Sequence, residues 1–243
     1  MTSKSETENG RWWEFYFVRY FVGTVIGGAI LFYLNITPGS SLEGAIIPNV
    51  KDIAALDAHL IALLAAMGLA FCYVASAPIL VLHATRGVFL SPDTSRFTAS
   101  FRIGLGILFV AFVAAGFLSS FSNLNYLLAW FAFLLIALLQ VIPIVLALSS
   151  DAKRLHEYYE NITKARSNEN KDAKEFVESY KHLREHGNAF FIVFFEAMLG
   201  FILWASPKGN YAILFLFLWI IPAALVWIIG SVLEYKYAST YKP

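Results

Sequence analysis

The sequence is poor in charge and in cysteine. Only 14% of its 243 residues are Asp, Glu, Lys or Arg, whereas about a quarter is usual in soluble domains. Since 58% of the residues are hydrophobic, a soluble protein of this size could not cover its apolar surface. The single cysteine, Cys72, excludes an intramolecular disulfide and a metal site built from several cysteines. Within an apolar run, its simplest role is that of a small buried hydrophobe.

Motifs that mark common catalytic and binding sites are also missing. The chain has no phosphate-binding glycine loop, no GxSxG elbow, no paired aspartates within an apolar segment and no selectivity-filter sequence. His182 and His186 are four residues apart, but the sequence between them lacks the glutamate of a zinc-protease helix. The net charge of +1 gives no basis for nucleic-acid binding. We therefore expect a non-enzymatic protein without a metal ion, a cofactor or a nucleic-acid partner.

Long apolar runs are what the sequence has instead. A helix needs about 20 mostly apolar residues to cross a bilayer, and six segments come close to this. They are Phe15–Leu34, Leu60–Leu82, Ile103–Ser120, Asn125–Leu148, Ala189–Ala205 and Tyr211–Ser231. The predicted fold class is an all-α, polytopic membrane helical bundle, integral to an inner or plasma membrane and in contact with its lipid. The first ten residues are polar and carry no cleavable signal pattern, so we expect the first span to be retained.

The basic residues predict the orientation of these spans. Sixteen of the eighteen lysines and arginines fall on one side of the six-span topology, and Lys51 and Lys208 fall on the other. The side rich in lysine and arginine normally faces the cytosol. Both termini are therefore predicted to be cytosolic.

The chain divides into three regions on this topology. Residues 1–148 hold the first four spans, residues 149–187 form the main soluble segment, and residues 188–243 hold the last two spans and a short cytosolic tail. Two stretches of helical periodicity in the middle region flank a polar turn at 167–170, which predicts a cytosolic helical hairpin. Apolar positions that could dock a partner protein are Tyr158, Tyr159, Phe176 and Tyr180. Solvated helix faces with ordinary ion pairs are the simpler interpretation.

One helix is predicted to run from the hairpin through His186-Gly187-Asn188 into the fifth span, where Glu196 interrupts the apolar sequence. Successive helix residues turn by about 100°, which separates Glu196 from five phenylalanines of the span. These are Phe190, Phe191, Phe194, Phe195 and Phe201. A helical wheel drawn with this rotation therefore predicts that Glu196 points into the bundle and that the phenylalanines face lipid. An ionised carboxylate there costs several kcal/mol unless it is paired.

Two further polar residues are predicted at the depth of Glu196. Counting from the cytosolic ends of the first and fourth spans puts Arg19 and Gln140 in one layer with it. The layer could be an ion or proton site, or a gate. The simpler alternative is an interhelical ion pair or hydrogen bond that holds the bundle together.

Proline and glycine indicate how the helices bend and pack. Each of three prolines in the second, fourth and sixth spans removes a helix hydrogen bond and can produce a kink, although membrane helices often tolerate proline. The three are Pro78, Pro143 and Pro222. Gly23, Gly27 and Gly28 give the first span a small-residue face, which suits close packing within one subunit or between subunits.

Three functions are compatible with these observations. We expect an oligomeric signalling or pore-forming component that couples a membrane bundle to a cytosolic partner, for example in a stress or phage-defence system. The first alternative is a small proton- or cation-coupled transporter that uses Glu196. The second alternative is a membrane-embedded lipid-modifying enzyme.

Overall fold

The computed structural model describes residues 12–89, 103–104, 106–107, 110, 124–149, 160–161, 164, 171–206 and 211–240. Every regular element in these ranges is helical, which confirms the all-α fold class for the described part of the chain. In chain order the helices are α1 (Trp12–Ile36), α2 (Ala58–Ala75), α3 (Ala77–Phe89), α4 (Leu124–Ser149), α5 (Lys171–Ala205) and α6 (Tyr211–Thr240). A 3-10 turn at Ile53–Ala55 precedes α2.

Four helical segments in the described ranges are long and apolar enough to cross a membrane. They are Ala58–Thr85, Leu124–Ala147, Gly187–Ala205 and Ala212–Ser231, and they match the second, fourth, fifth and sixth predicted spans. These segments are compatible with an integral membrane protein. The first predicted span coincides with α1, whose described apolar part is Tyr20–Ile36, and most of Ile103–Ser120 lies outside the described residues. The six-span count and the orientation therefore stay predictions.

The chain forms two compact units. The first unit comprises Met1–Ser76 and His182–Ala212, and the second comprises Ala77–Lys181 and Ile213–Pro243. The three regions predicted from the sequence end at residues 148, 187 and 243. They were defined by membrane topology, whereas the two units are defined by helix packing. That three-part division stays a prediction.

In the first unit, α1 and α2 cross with backbone against backbone. A side-chain carbon added at Gly68 would collide with the carbonyl oxygen of Thr24 and would lie 2.5 Å from the backbone nitrogen of Gly28. One added at Gly28 would lie 3.1 Å from the carbonyl oxygen of Leu64. Glycine is therefore required on both helices for this close approach. The small face of α1 packs within one subunit.

The loop between α1 and α2 is fixed to the ends of two helices of the first unit. The buried Asn35 side chain accepts hydrogen bonds from the backbone N–H groups of Ile46 and Ile47 and donates to the carbonyl of Ile47, at 2.9–3.0 Å. Ser41 Oγ donates to the carbonyl of Leu203 at 2.6 Å. That carbonyl has no α-helical donor because the residue four positions on is Pro207, which has no N–H. The sequence therefore explains why a loop hydroxyl is needed there.

Aromatic side chains pack together in the core of the second unit. The ring of Phe215 on α6 lies 4.9 Å from Trp130 and 5.1 Å from Phe133 on α4, measured between ring centroids. Trp130 and Phe133 are themselves in edge-to-face contact at 6.0 Å. Such pairs add about 0.5–1.5 kcal/mol each beyond the area they bury. This cluster joins α4 to α6.

The prolines differ in their helical setting. The second predicted span is interrupted at Ser76, so that Pro78 is the second residue of α3. The N–H of Ser76 donates to the carbonyl of Cys72 at 3.0 Å and completes the last turn of α2. Pro143 and Pro222 lie inside the uninterrupted helices α4 and α6. A kink at each proline stays a prediction.

Candidate functional site

Glu196 lies at the middle of an apolar helical segment. The predicted helix through His186, Gly187 and Asn188 is confirmed, because α5 is continuous from Lys171 to Ala205. Its membrane-compatible part, Gly187–Ala205, has 19 residues, and Glu196 is the central one. At 1.5 Å per residue, the residue is about 14 Å from either end of the segment. Glu196 is therefore the deepest residue of this segment, counted from its two ends.

The side chain of Glu196 is completely buried, with 0% of it exposed. Phe190, at 68%, and Phe191, at 40%, are exposed as the wheel predicts. The prediction is wrong for Phe195, which is 0% exposed. The reason is helical geometry, because Phe195 lies four residues before the buried Leu199 and shares its side of α5. More of the surface of α5 is therefore buried than the helical wheel predicted.

Three helices surround the Glu196 carboxyl group. A carbon added at Gly27 on α1 would lie 3.2 Å from Glu196 Oε1 and 2.6 Å from the carbonyl oxygen of Gly68 on α2. The thiol of Cys72, one turn further along α2, lies beside the carboxyl group and is itself fully buried. A carbon added at Gly23 would collide with that thiol. Glycines of α1 and α2 therefore make the space that Glu196 and Cys72 fill.

Neither carboxylate oxygen of Glu196 has a hydrogen-bond partner among the described residues. The thiol of Cys72 is close enough to act on the carboxyl group electrostatically and as a hydrogen-bond donor. A thiol is a weak donor, and the pair does not meet the ordinary distance and angle of a hydrogen bond. Most buried polar groups in proteins do have a partner. Two orphaned oxygens on one acid are therefore an exception that requires a physical reason.

The burial of Glu196 favours a change of charge at its carboxyl group. A neutral acid is far cheaper to bury than a carboxylate, so binding a proton or an ion would relieve the cost of the site. Within the described ranges, no three His, Cys, Asp or Glu side chains cluster so as to hold a metal ion.

The other two residues of the predicted polar layer lie on different helices. Gln140 is on α4 in the second unit, 1% exposed, and its Oε1 has no hydrogen-bond partner in the described structure. Arg19 is a helical residue of α1 whose side chain lies outside the described residues. A shared layer with Glu196 stays a prediction.

The predicted docking residues fall in the charged region before the fifth span. Phe176 and Tyr180 lie on the first half of α5, but their side chains are outside the described residues. Tyr158 and Tyr159 lie outside them altogether. The docking surface stays a prediction.

Sequence reasoning missed two residues of the site, Gly68 and Cys72. Cys72 was expected to be a passive core residue, and Gly68 was not singled out. They are four residues apart and therefore share one face of α2. That spacing, opposite the glycine face of α1, is the signal that could have identified them.

An open apolar groove of about 660 Å³ lies next to the site, between α1 and α5. Ala197 and Gly200, which line it, are one and four residues beyond Glu196. From α1, Ile30 fills the gap at Gly200, where an added side-chain carbon would lie 2.7 Å from it. The groove leaves unfilled space beside the helix that carries the glutamate.

Comparison with known proteins covers protein families, curated sequences and solved structures. None of them matches this chain. Arguments about function therefore rest on the geometry around Glu196.

Proposed function

We propose that the protein is a small membrane transporter in which the binding and release of a proton or cation at Glu196 is coupled to transport. The observation that carries this proposal is the completely buried carboxyl group whose oxygens have no hydrogen-bond partner in the described structure. Ionisable residues inside membrane segments are rare because they are costly, and they commonly mark ion or proton pathways.

A purely structural role for Glu196 is less well supported. An interhelical ion pair or hydrogen bond would need a partner on α1 or α2, and the described contacts there are glycine backbone and a thiol. Packing alone would be served better by an apolar side chain of similar volume. The acid therefore contributes something that packing does not require.

Release of the bound ion requires movement, because the closed site is inaccessible to water. The groove between α1 and α5 shows that the two helices are already apart next to Ala197 and Gly200. A further shift of α5 away from α1 would separate Glu196 from Gly27 and open the carboxyl group. Small shear movements between packed helices are a common way to open and close sites.

Flux through proteoliposomes tests the proposal. We expect wild-type protein to carry protons down an imposed gradient, measured with a pH-sensitive dye inside the vesicles. Glu196→Gln should abolish this flux because it removes the ionisable group. Glu160→Gln is the matched control, since Glu160 is an exposed acid paired with Lys164 at 2.7 Å, and it should keep wild-type flux. Wild-type flux in Glu196→Gln would contradict the proposal.

A second candidate is the oligomeric signalling or pore-forming component, coupled to a cytosolic partner and placed in a stress- or phage-defence setting. The observation that favours it is the continuity of α5, which joins a charged arm beginning at Lys171 directly to the helix turn of Glu196. A rigid helix of this length could pass a movement from a docked partner to the membrane site. The mass of the purified protein tests it: a monomer with no co-purifying protein contradicts this candidate.

A further inference from the structure

Helices α1 and α5 run side by side in the same direction. A side-chain carbon added at Gly27 on α1 would lie 3.2 Å from Glu196 on α5. One added at Gly200, a turn further along α5, would lie 2.7 Å from Ile30, about a turn further along α1. Residue numbers therefore rise together along the two helices. The open groove between them accordingly has one end near Glu196 and the other near the C-terminal ends of both helices.

The groove has the lining and the size that suit hydrocarbon. None of its nine lining residues is charged, and they come from residues 26–34 of α1 and 197–204 of α5, a length of about 10–12 Å at 1.5 Å per residue. A helix of that length and about 10 Å in diameter occupies about 900 Å³, which is more than the 660 Å³ of the groove. Roughly 20 methylene groups fit in that volume if each takes about the 30 Å³ of a water molecule. The groove therefore accepts lipid chains but not a whole helix.

The two ends of the groove correspond to different depths in a bilayer. Trp204 is the next-to-last residue of the membrane-compatible segment Gly187–Ala205, and Tyr33, which is 54% exposed, lies in the last turn of α1. Tryptophan and tyrosine are enriched where membrane helices meet the lipid headgroups. At the other end, Ala197 directly follows the central residue of the same segment. In a bilayer the groove therefore runs from the headgroups toward the middle of the hydrocarbon, which is the course of an acyl chain.

We propose that this groove is a binding site for one bilayer phospholipid, with its acyl hydrocarbon between α1 and α5 and its headgroup beyond Tyr33 and Trp204. Lipid tails are as apolar as the lining side chains, so packing against those side chains holds the lipid. Two small residues of the lining, Ala29 and Ala197, leave room for it, and both are exposed on their helices. The inference goes beyond the proposed ion coupling at Glu196 and does not depend on it.

Photo-labelling of the whole protein in detergent tests the proposal. The protein is titrated with phosphatidylcholine that carries a diazirine in one acyl chain, and peptide mass locates the label. We expect saturable labelling of the groove residues of α1 and α5, which excess unlabelled phosphatidylcholine removes. Ala197→Phe should abolish the saturable labelling, because its ring occupies the groove. Ala66→Phe is the matched control and should label as wild type does, because Ala66 is exposed on α2 and does not line the groove.

A second variant keeps the test decisive if Ala197→Phe folds poorly. Ala29→Phe fills the groove from α1 and should cause the same loss of labelling. Saturable labelling retained in both variants would overturn the proposal, as would labelling that does not saturate or that spreads evenly over the exposed helix faces. Competition by a free fatty acid but not by phosphatidylcholine would show a fatty-acid site instead. Cross-links between two copies across α1 and α5, without groove labelling, would show that a second copy covers the groove.

Discussion

The two compact units pack their helices by opposite means. In the first, glycines let backbones touch, as at Gly68 and Gly28. In the second, large rings fill the space between α4 and α6, as at Phe215 and Trp130. In lipid, helices associate through close packing and not through removal of apolar surface from water, so both arrangements serve the same purpose. They differ in what meets a polar side chain, because Glu196 in the first unit meets a glycine of α1 and a thiol.

Each unit also contains a buried polar group that lacks a hydrogen-bond partner among the described residues. In the first unit it is the acid Glu196, with both oxygens orphaned, and in the second they are two neutral groups, the amide Oε1 of Gln140 and the indole Nε1 of Trp130. An unsatisfied neutral oxygen costs about 1–3 kcal/mol, whereas an unpaired buried charge costs far more. The comparison therefore supports the proposal that Glu196, and not Gln140, is the group whose charge changes.

The largest expected effect tests the aromatic packing. Phe215→Ala removes a ring that is 0% exposed and contacts two others, and we expect it to lower the free energy of unfolding by about 3 kcal/mol. Phe217→Ala is the matched control on the same helix, because Phe217 is 63% exposed. The free energy of unfolding of both variants is measured in detergent or bicelles. Equal losses would show that the aromatic cluster does not hold the second unit together.

The next effect tests the glycine packing. Gly68→Ala places a methyl group against Thr24 and Gly28, so the helices must separate, at a cost of about 1–3 kcal/mol. Gly230→Ala is the control, because an added carbon there meets nothing within 4 Å. The control should gain up to about 1 kcal/mol from helix propensity. The same unfolding measurement checks both, and a stable Gly68→Ala variant would refute the requirement for backbone contact.

Substitution of Glu196 is expected to have a smaller effect on stability and a large effect on activity. Glu196→Gln conserves volume, so its free energy of unfolding should change by less than about 1.5 kcal/mol, although flux is lost. Unfolding and vesicle flux on the same preparation check the two parts. A large loss of stability would instead identify Glu196 as one half of a structural pair.

The smallest effect is expected at Gln140. Gln140→Leu replaces an unsatisfied buried amide by an apolar side chain, and we expect a neutral or slightly stabilising change of less than about 1 kcal/mol. Flux should be unchanged, because Gln140 cannot change its charge. Loss of flux would mean that Gln140 acts together with Glu196, as the predicted polar layer requires.

Much of the helical framework could be predicted from the sequence. The second, fourth, fifth and sixth predicted spans match membrane-compatible helices, and α5 is continuous through Gly187 as expected. Run length and hydropathy are local properties, so they predict where a helix lies. They are less informative about breaks, and the interruption at Ser76 fell inside an apolar run that was read as one span.

The candidate site was predicted only in part. The helical wheel identified Glu196 as inward-facing because the 100° rotation depends on one helix alone. It could not identify Cys72 or Gly68 as neighbours, because a wheel gives the direction of a side chain and not the helix that it meets. It also placed Phe195 toward lipid, although that ring is fully buried.

The sequence by itself determined that the chain forms apolar helices suited to a membrane and that one of them carries an acid on its inner side. Both follow from composition and helical period, which are local. Only the tertiary structure decided that Glu196 would meet Gly27 and Cys72 and find no hydrogen-bond partner among the described residues. The physical reason is that the effect of a glycine depends on which residues pack against it. A glycine is required only where the backbone of a segment remote in the chain occupies the space that a side chain would fill.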